Sequence, residues 1–382
     1  MLIQNEGNST MKYQARKRGK IEFEMDVVMP KEYKFFRCIG RETYIAFMDE
    51  NRNYLVKDIA VGFRNWLKLY NPVLNSIAPN FVDEVIPALH SKALWGSDHA
   101  IEKYSRIAMR GKKLIYNLNG ECSTVIEPGR YSLVHNYQLL DEELVLLKND
   151  VMGDQCFPRE SNGKQLLNLS KLLSLDEKDS CLLSMLIVSF FNPNVEKPVI
   201  CLDALDYKGK AMLNYVFQAL VDPLSEMGYY LPPYGDKAIL DKRYLFNVTN
   251  QHSLSDVSIP LTFPLFGNRP CYDGMRKCCL VNSMDTDNLL SVAKKCVVTL
   301  DSPMTGSNFK SFSHFKEAFD KLVPYLLDEI FETLGIALAF YHPLTATPKK
   351  VLDEYFNWVS CVSFALYEDG DIFSDAIAAK KI

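Results

Sequence analysis

The chain has 382 residues, 48% of them hydrophobic and 24% charged, and a net charge of −4. That length suits two or three domains with sizeable cores. The composition excludes a disordered chain, and the charge excludes a global basic field that would drive it onto nucleic acid. The ten cysteines form no C-x-x-C pair, so they give neither a zinc pattern nor a disulfide framework. With no signal peptide and no apolar run long enough for a bilayer, the chain is expected in a reducing cytoplasm, away from membranes.

Met1–Lys20 is polar and carries Lys12, Arg16, Lys17, Arg18 and Lys20. It reads as a basic arm that touches phosphate or as a solvated, frayed terminus, and residues 1–34 are set apart as that arm. From Phe35 to Val56 the apolar alternation predicts a hairpin turning at Asp49-Glu50-Asn51. Two helices follow. The first, Asp58–Tyr70, places Ile59, Phe63, Trp66 and Leu67 on one face and ends before Pro72. The second, Asn80–Ala93, carries Phe81, Val85 and Leu89. Trp66 and Trp95 are expected to anchor the core.

Strand-like runs at Tyr104–Met109, Lys113–Leu118, Cys122–Ile126 and Tyr131–Val134, with a turn at Glu127-Pro128-Gly129, predict a meander. It is expected to close a small α+β domain over residues 35–160. Lys112-Lys113, on a turn between strands, is a candidate contact for a phosphate backbone, as are Arg276-Lys277 and Lys294-Lys295; simple solvation of each pair is the blander reading. Ser161–Lys164 is a polar break, expected to be a linker. Helices at Leu166–Leu173 and Glu177–Phe191 then lead into a strand at Val199–Leu202.

The next stretch, PVICLDALDYKGKAMLNYVFQALVDP over Pro198–Pro223, reads as strand, tight turn and helix around a damaged phosphate loop. A working loop needs G-x-x-x-x-G-K-[ST], so that backbone N–H groups cradle phosphate, the Lys reaches it and the hydroxyl holds Mg²⁺. Gly209-Lys210 remain, but Ala204 stands at the first glycine and Ala211 at the hydroxyl. A methyl group cannot ligate Mg²⁺. After the helix Lys210–Leu220, a strand at Arg243–Thr249 runs into Asn250. A P-loop ATPase would carry there an acid that holds the metal's water shell and polarises the attacking water. The strand Lys277–Met284 ends near Asn282, where such ATPases place a polar residue that senses the γ-phosphate. The strand Cys296–Leu300 follows Lys294-Lys295. A helix over Phe312–Tyr341 has Phe315, Phe319, Leu322, Leu326, Ile330 and Leu334 in one stripe, with a kink expected at Pro324. A last helix spans Lys349–Leu366. The six histidines show no metal-ligand spacing.

Taken together, residues from about Phe35 to Ala376 resemble the replicative AAA+ proteins of mobile elements: phage, plasmid and staphylococcal-cassette primase-helicase-type ATPases with MCM-like or superfamily-3 cores. The stretches that carry the resemblance are VGFRNWLKLY, HSKALW, YSRIAMRGKKLIYNLN with VIEPGRYSLV, LVDP, RYLFNVTNQHSLSD, CCLVNSM, SVAKKCVVTL and FKEAFDKLVPYLLDEIFETL. The resemblance implies an α/β chain: an N-terminal α+β domain (35–160), an AAA+-like P-loop core (161–305) and an all-α lid (306–382). It also implies ATP and Mg²⁺ as cofactors, ring assembly, and DNA or replication proteins as partners.

The departures cut against catalysis. Tyr207 sits at a glycine position, Thr249 at the acidic position, and Lys295 where the family has its trans-acting arginine. Lysine offers a point charge instead of a planar fork, and loss of an arginine finger alone costs about 10³–10⁵ in rate. The stretch Ser255–Lys277 is also shorter than the family's, trimming the hairpin that related helicases push against DNA. Two readings follow. The first is a non-catalytic, helicase-like assembly factor that needs no cofactor. It would bind DNA, an active helicase or another replication or defence partner, as a monomer, a small oligomer or a passenger beside a competent subunit. The vestigial nucleotide positions are then Gly209, Lys210, Asn250 and Asn282, and the DNA-contact candidates are Lys12, Arg16, Lys17, Arg18, Lys112 and Lys113. The second is a divergent, active DNA-dependent ATPase and replicative helicase that holds Mg²⁺ through Asp203 or Asp206.

Overall fold

A computed structural model of the chain describes residues 3–4, 10–17, 20–30, 33–38, 42–48, 54–96, 101–142, 144–148, 152–195, 197, 199–201, 207–224, 245–251, 278–283, 297–299, 311–344 and 353–378. The chain is mixed α/β and divides into two compact units, one of residues 1–104 and 135–147, the other of residues 105–134 and 148–382.

In the first unit, β1 (Ile3–Gln4), β2 (Thr10–Lys17) and β3 (Lys20–Val28) form an antiparallel sheet in the order β1-β2-β3. The expected basic arm is therefore corrected: β2 pairs with β3 along its length and with β1 at Met11 and Lys12, and its Tyr13 is buried. Tyr13 donates its hydroxyl to Glu84 at 2.7 Å. Burial first, then that carboxylate, pushes the phenol up to about 12. A second antiparallel sheet holds β4 (Tyr33–Arg37), β5 (Thr43–Met48) and β6 (Tyr54–Asp58) in that order. The expected hairpin corresponds to β5 and β6, while its turn at 49–51 lies outside the described residues.

Asp58 then caps a π-helical turn (Ile59–Phe63), its carboxylate accepting from the N–H groups of Val61 at 2.7 Å and Gly62 at 3.1 Å. The chain continues through α1 (Arg64–Tyr70), α2 (Pro72–Ile77) and α3 (Phe81–Trp95). Between α1 and α2, the Asn71 amide imitates a strand partner for β3: Oδ1 accepts from Val28 N at 2.6 Å and Nδ2 donates to Val28 O at 3.2 Å. The core joins Tyr13, Val27, Ile45, Phe47, Phe63, Leu67, Phe81 and Leu89, with Trp66 packed against it. Trp95 does not anchor it. It closes α3 and is 78% exposed. Lastly, β7 (Glu102–Tyr104) pairs parallel with β12 (Leu144–Leu146), which returns after a 3₁₀ turn at Asn136–Glu142.

The second unit opens with the meander β8 (Ile107–Arg110), β9 (Lys113–Asn117), β10 (Cys122–Glu127) and β11 (Arg130–His135), in spatial order β11-β10-β9-β8. Gly129, at φ +80°, makes the Pro128-Gly129 turn, a conformation that other residues adopt at a cost. Instead of closing an N-terminal domain, the meander belongs to this unit, and β10 lies against the 29-residue helix α7 (Phe312–Phe340 once α4–α6 are counted). Those intervening helices are α4 (Gln165–Leu172), α5 (Glu177–Ser189) and α6 (Tyr207–Val221); α8 (Asp353–Tyr367) and α9 (Ile372–Ala378) follow α7. The expected apolar stripe of α7 is buried at Phe315, Phe319, Leu326, Ile330 and Leu334, each contributing about 1.5–3 kcal/mol. Because α7 packs on β10, α4, α5, α6 and α8, it is a central pillar of the unit and not a lid set apart.

The expected linker is also tied down. Gln155 N donates to Leu118 O at 2.7 Å, Arg159 N to Pro324 O at 2.9 Å and Ser161 N to Asp328 Oδ2 at 2.7 Å. A parallel sheet completes the unit: β13 (Val199–Cys201), β14 (Leu245–Gln251), β15 (Cys278–Ser283) and β16 (Val297–Thr299), ordered β14-β15-β13-β16. No helix among the described residues is long and apolar enough to cross a membrane.

Candidate functional site

In open α/β sheets, ligands gather at the carboxyl ends of the parallel strands. Register defines that edge here. Cys201 pairs with Val281 on one side and Thr299 on the other, and Val281 pairs with Val248. Asn282 and Asn250 therefore lie just beyond that level, at the carboxyl ends of the adjacent strands β15 and β14. In sequence, α6 follows β13. Gly209, which is buried, and Lys210 fall in the first turn of α6, with Ala211 next. Asn250 and Asn282 thus share one edge on adjacent strands, with β15 directly between β13 and β14, while Gly209 and Lys210 open the helix that follows β13 in sequence. The N–H groups that open a helix are donors suited to an anion, but the alanine after Lys210 brings no hydroxyl for a cation.

Ala204, Asp203, Asp206, Arg18, Lys294-Lys295 and the stretch Ser255–Lys277 lie outside the described residues. Lys12, Arg16 and Lys17 occupy β2, at the register positions of Asp26, Ile21 and Lys20. Lys112 is exposed on the β8–β9 turn, while Lys113 meets Glu127 at 3.7 Å. Among the described residues, no group of three or more His, Cys, Asp and Glu side chains is arranged to hold a metal.

What the sequence reading missed is the anchor at the other end of α6. Arg106 and Asp222 form an ion pair at 3.1 Å with each side chain only 1% exposed. The guanidinium also donates to three carbonyls: Asn117 at 2.9 Å, Gly153 at 2.7 Å and Pro223 at 2.9 Å. The planar fork of arginine is what reaches so many acceptors at once. Beside it, the Tyr116 hydroxyl donates to Leu220 O at 3.1 Å, and Gln155 Nε2 donates to Ala219 O at 2.8 Å. The last carbonyls of a helix have no partner within it. Here the meander and the coil after it supply those partners, and the Arg106 cation faces the negative end of the α6 dipole. Gly153 is close-packed as well: a Cβ there would stand 2.5 Å from Leu224 O. Burial lifts the Tyr116 phenol to about 12, against the pull of Arg106.

A second buried set lies on α7. Glu329 accepts from the N–H groups of Gln165 and, at 3.3 Å, Leu166, capping α4. Asp328 accepts from the Tyr131 hydroxyl as well as from Ser161 N. Burial raises the Glu329 carboxyl above its ordinary value. The two backbone donors oppose that shift, while Glu332 and Asp328 add to it.

No protein-family model and no curated protein matches the chain. It is similar to a solved structure described as SCCmec type IV Cch, an active helicase, with a TM-score of 0.45 and 8% identity over 97% of this chain and 76% of that one. A likeness that slight carries no argument about function.

Proposed function

We propose that the chain is a non-hydrolysing, helicase-like protein of a mobile element, acting in the cytoplasm as an assembly factor for DNA or for a replication or defence partner. The observation that carries this reading is the edge of the parallel sheet. Gly209-Lys210 open α6, which follows β13 in sequence, yet Ala211, Thr249 and Asn250 stand where a metal-dependent hydrolase needs a hydroxyl and an acid. The nucleotide fold is kept for its shape, while the groups that grip magnesium and polarise water are replaced. These positions belong to one catalytic unit, so their losses do not multiply; any two of them leave little turnover.

Nucleotide then gives no strong reason to form a ring, and the chain acts as a monomer, a small oligomer or a member of a partner's assembly. Calorimetric titration with millimolar ATP and Mg²⁺, alongside a phosphate-release assay with DNA present, tests this directly. The expected result is no DNA-stimulated turnover and no effect of Lys210→Ala on phosphate release. Turnover that Lys210→Ala abolishes would overturn the reading in favour of a divergent ATPase.

A further inference from the structure

The meander has one closed edge and one open one. Along β8 the side chains of Ile107, Ala108 and Met109 are buried, whereas along β11 Ser132 and Leu133 are exposed, Leu133 by 49%. Which main-chain groups of β11 face outward follows from the turns. Leu118 N donates to Cys122 O at 2.9 Å, so Thr124 and Ile126, in step with Cys122, turn their amides and carbonyls toward β9. Ser123, Val125 and Glu127 then turn theirs toward β11. The two-residue turn Pro128-Gly129 makes Arg130 the partner of Glu127. Arg130, Ser132 and Val134 therefore bond to β10, and Tyr131, Leu133 and His135 point their main-chain groups away from it. His135 N has its acceptor in Gln138 Oε1 at 3.1 Å. Among the described residues, no backbone group takes up the outward N–H and C=O of Tyr131 and Leu133.

Natural edge strands are blunted by lysine, proline, a bulge or a covering element. From Tyr131 to Val134 there is no charge and no proline, and the preceding cation, Arg130, is taken up by Glu127 at 3.0 Å. What such an edge accepts is extended backbone, because only that carries donors and acceptors at matching intervals. The segment is also complementary to itself. With Ser132 on a two-fold axis, Tyr131 of one copy stands opposite Leu133 of the other, an aromatic ring against an aliphatic chain. Ser132 then faces Ser132 and Arg130 faces Val134, so no like charges meet. Each of the two Tyr131–Leu133 pairs exchanges both of its N–H···O bonds.

We propose that two copies of the chain join antiparallel along β11, so that their meanders continue as one sheet. The two-fold axis stands perpendicular to that sheet, which puts both α7 helices on one face. Each α7 covers its own β10, and the two β10 strands are three strand spacings, roughly 14 Å, apart. Helices pack at roughly 8–10 Å, so the pillars pass without collision. Exposed Glu332 travels with α7, and that spacing exceeds the screening length of about 8 Å at physiological salt. The pairing needs neither nucleotide nor DNA. It goes beyond the role proposed above, and its failure is read separately from that of an ATP titration.

Sedimentation equilibrium of the full chain without nucleotide, up to about 200 µM, tests it. A contact this short should give a reversible dimer with a Kd of about 10–100 µM. Ser132→Lys sets like charges opposite each other at the axis and should weaken the dimer about fivefold, with an unchanged circular-dichroism spectrum. The Ser132 pair is not hydrogen-bonded, so its Cβ atoms come close enough for a disulfide. Mild oxidation of Ser132→Cys should therefore give a covalent dimer well above the parent's background, and Leu133→Cys far less. A chain that stays monomeric at about 200 µM overturns the proposal. So does a dimer that is indifferent to Ser132→Lys and does not crosslink through Ser132→Cys, which would place the contact on another surface. A monomer that binds a labelled peptide of alternating valine and threonine, and loses it on Leu133→Lys, also overturns it and assigns β11 to a strand of another protein.

Discussion

Replacing Arg106 with methionine removes the cation from a pair that is almost wholly out of water. Asp222 keeps its charge but loses its counterion, and the carbonyls of Asn117, Gly153 and Pro223 lose a donor. Breaking a buried pair costs about 3–5 kcal/mol. Each deprived carbonyl would add about 1–3 kcal/mol if it stood alone, but these losses overlap because one side chain supplies all of them. We therefore take about 4 kcal/mol as the expected cost. For a domain of this size, that lowers Tm by roughly 8–16 °C. Hydrogen exchange should show the amides of β8 and β9 losing protection first, since Arg106 holds the meander to the end of α6.

Arg106→Lys keeps the charge and one or two of the contacts, so it should fall between parent and Arg106→Met. The double variant Arg106→Met with Asp222→Leu should be more stable than the sum of the two single losses, because no uncompensated charge remains. Circular-dichroism melts of the four proteins form the cycle. A Tm for Arg106→Met within about 2 °C of the parent, or strict additivity in the double variant, would refute the assignment.

Gly153→Ala should destabilise by about 1–3 kcal/mol, since its Cβ would meet backbone atoms of Leu224 at 2.5 and 2.6 Å. An unchanged thermal midpoint would contradict that packing. Glu329 has a raised carboxyl pKa in the folded state, so its favourable share of stability is present below the unfolded value near 4.3 and is lost as pH rises through the folded value. Glu329→Gln should flatten that decline, and parallel urea-midpoint curves for parent and variant between pH 4.5 and 7.5 would argue against it. If the chain holds DNA through the β8–β9 turn, Lys112→Glu with Lys113→Glu should weaken binding to all sequences and flatten the dependence on salt. An unchanged slope removes that turn from consideration.

Local pattern carried most of the secondary structure. The two-residue alternation of Ile107–His135 and its Pro-Gly turn made the meander legible, and the stripe from Phe315 to Leu334 did the same for α7. The same rule was available in KIEFEMDVV, where Ile21, Phe23, Met25 and Val27 alternate with acids and lysine, but the cluster of basic residues drew attention away from a strand. Trp95 misled because its bulk suggested burial, although it falls at the last position of α3, beyond the buried Ala93. Arg106 could not have been found by spacing, since its partner Asp222 is 116 residues away. The only trace was an arginine lodged directly before the apolar run Ile107-Ala108-Met109. Ser161–Lys164 looked like a tether because its composition is polar; what pins it is the backbone N–H of Ser161 on a distant carboxylate, and composition does not encode that. At the sheet edge, motif spacing put the helix start at Lys210, whereas α6 already opens at Tyr207 and takes Gly209 into its first turn. The adjacency of β15 to β13 and β14 is a property of pairing, which only the fold supplies.

Because the backbone passes from one unit to the other at Tyr104, His135 and Lys148, neither is a contiguous piece of polypeptide. On the ribosome, β7 emerges well before β12, the strand it pairs with. The face of β10 must wait still longer, until α7 has been translated. Apolar surface on the nascent meander therefore stays uncovered through the synthesis of more than half the polypeptide, an interval in which a chaperone would have something to hold. Cutting the gene after Val134 or after Leu147 would likewise strand Tyr116 and Arg106 from the helix end they cap.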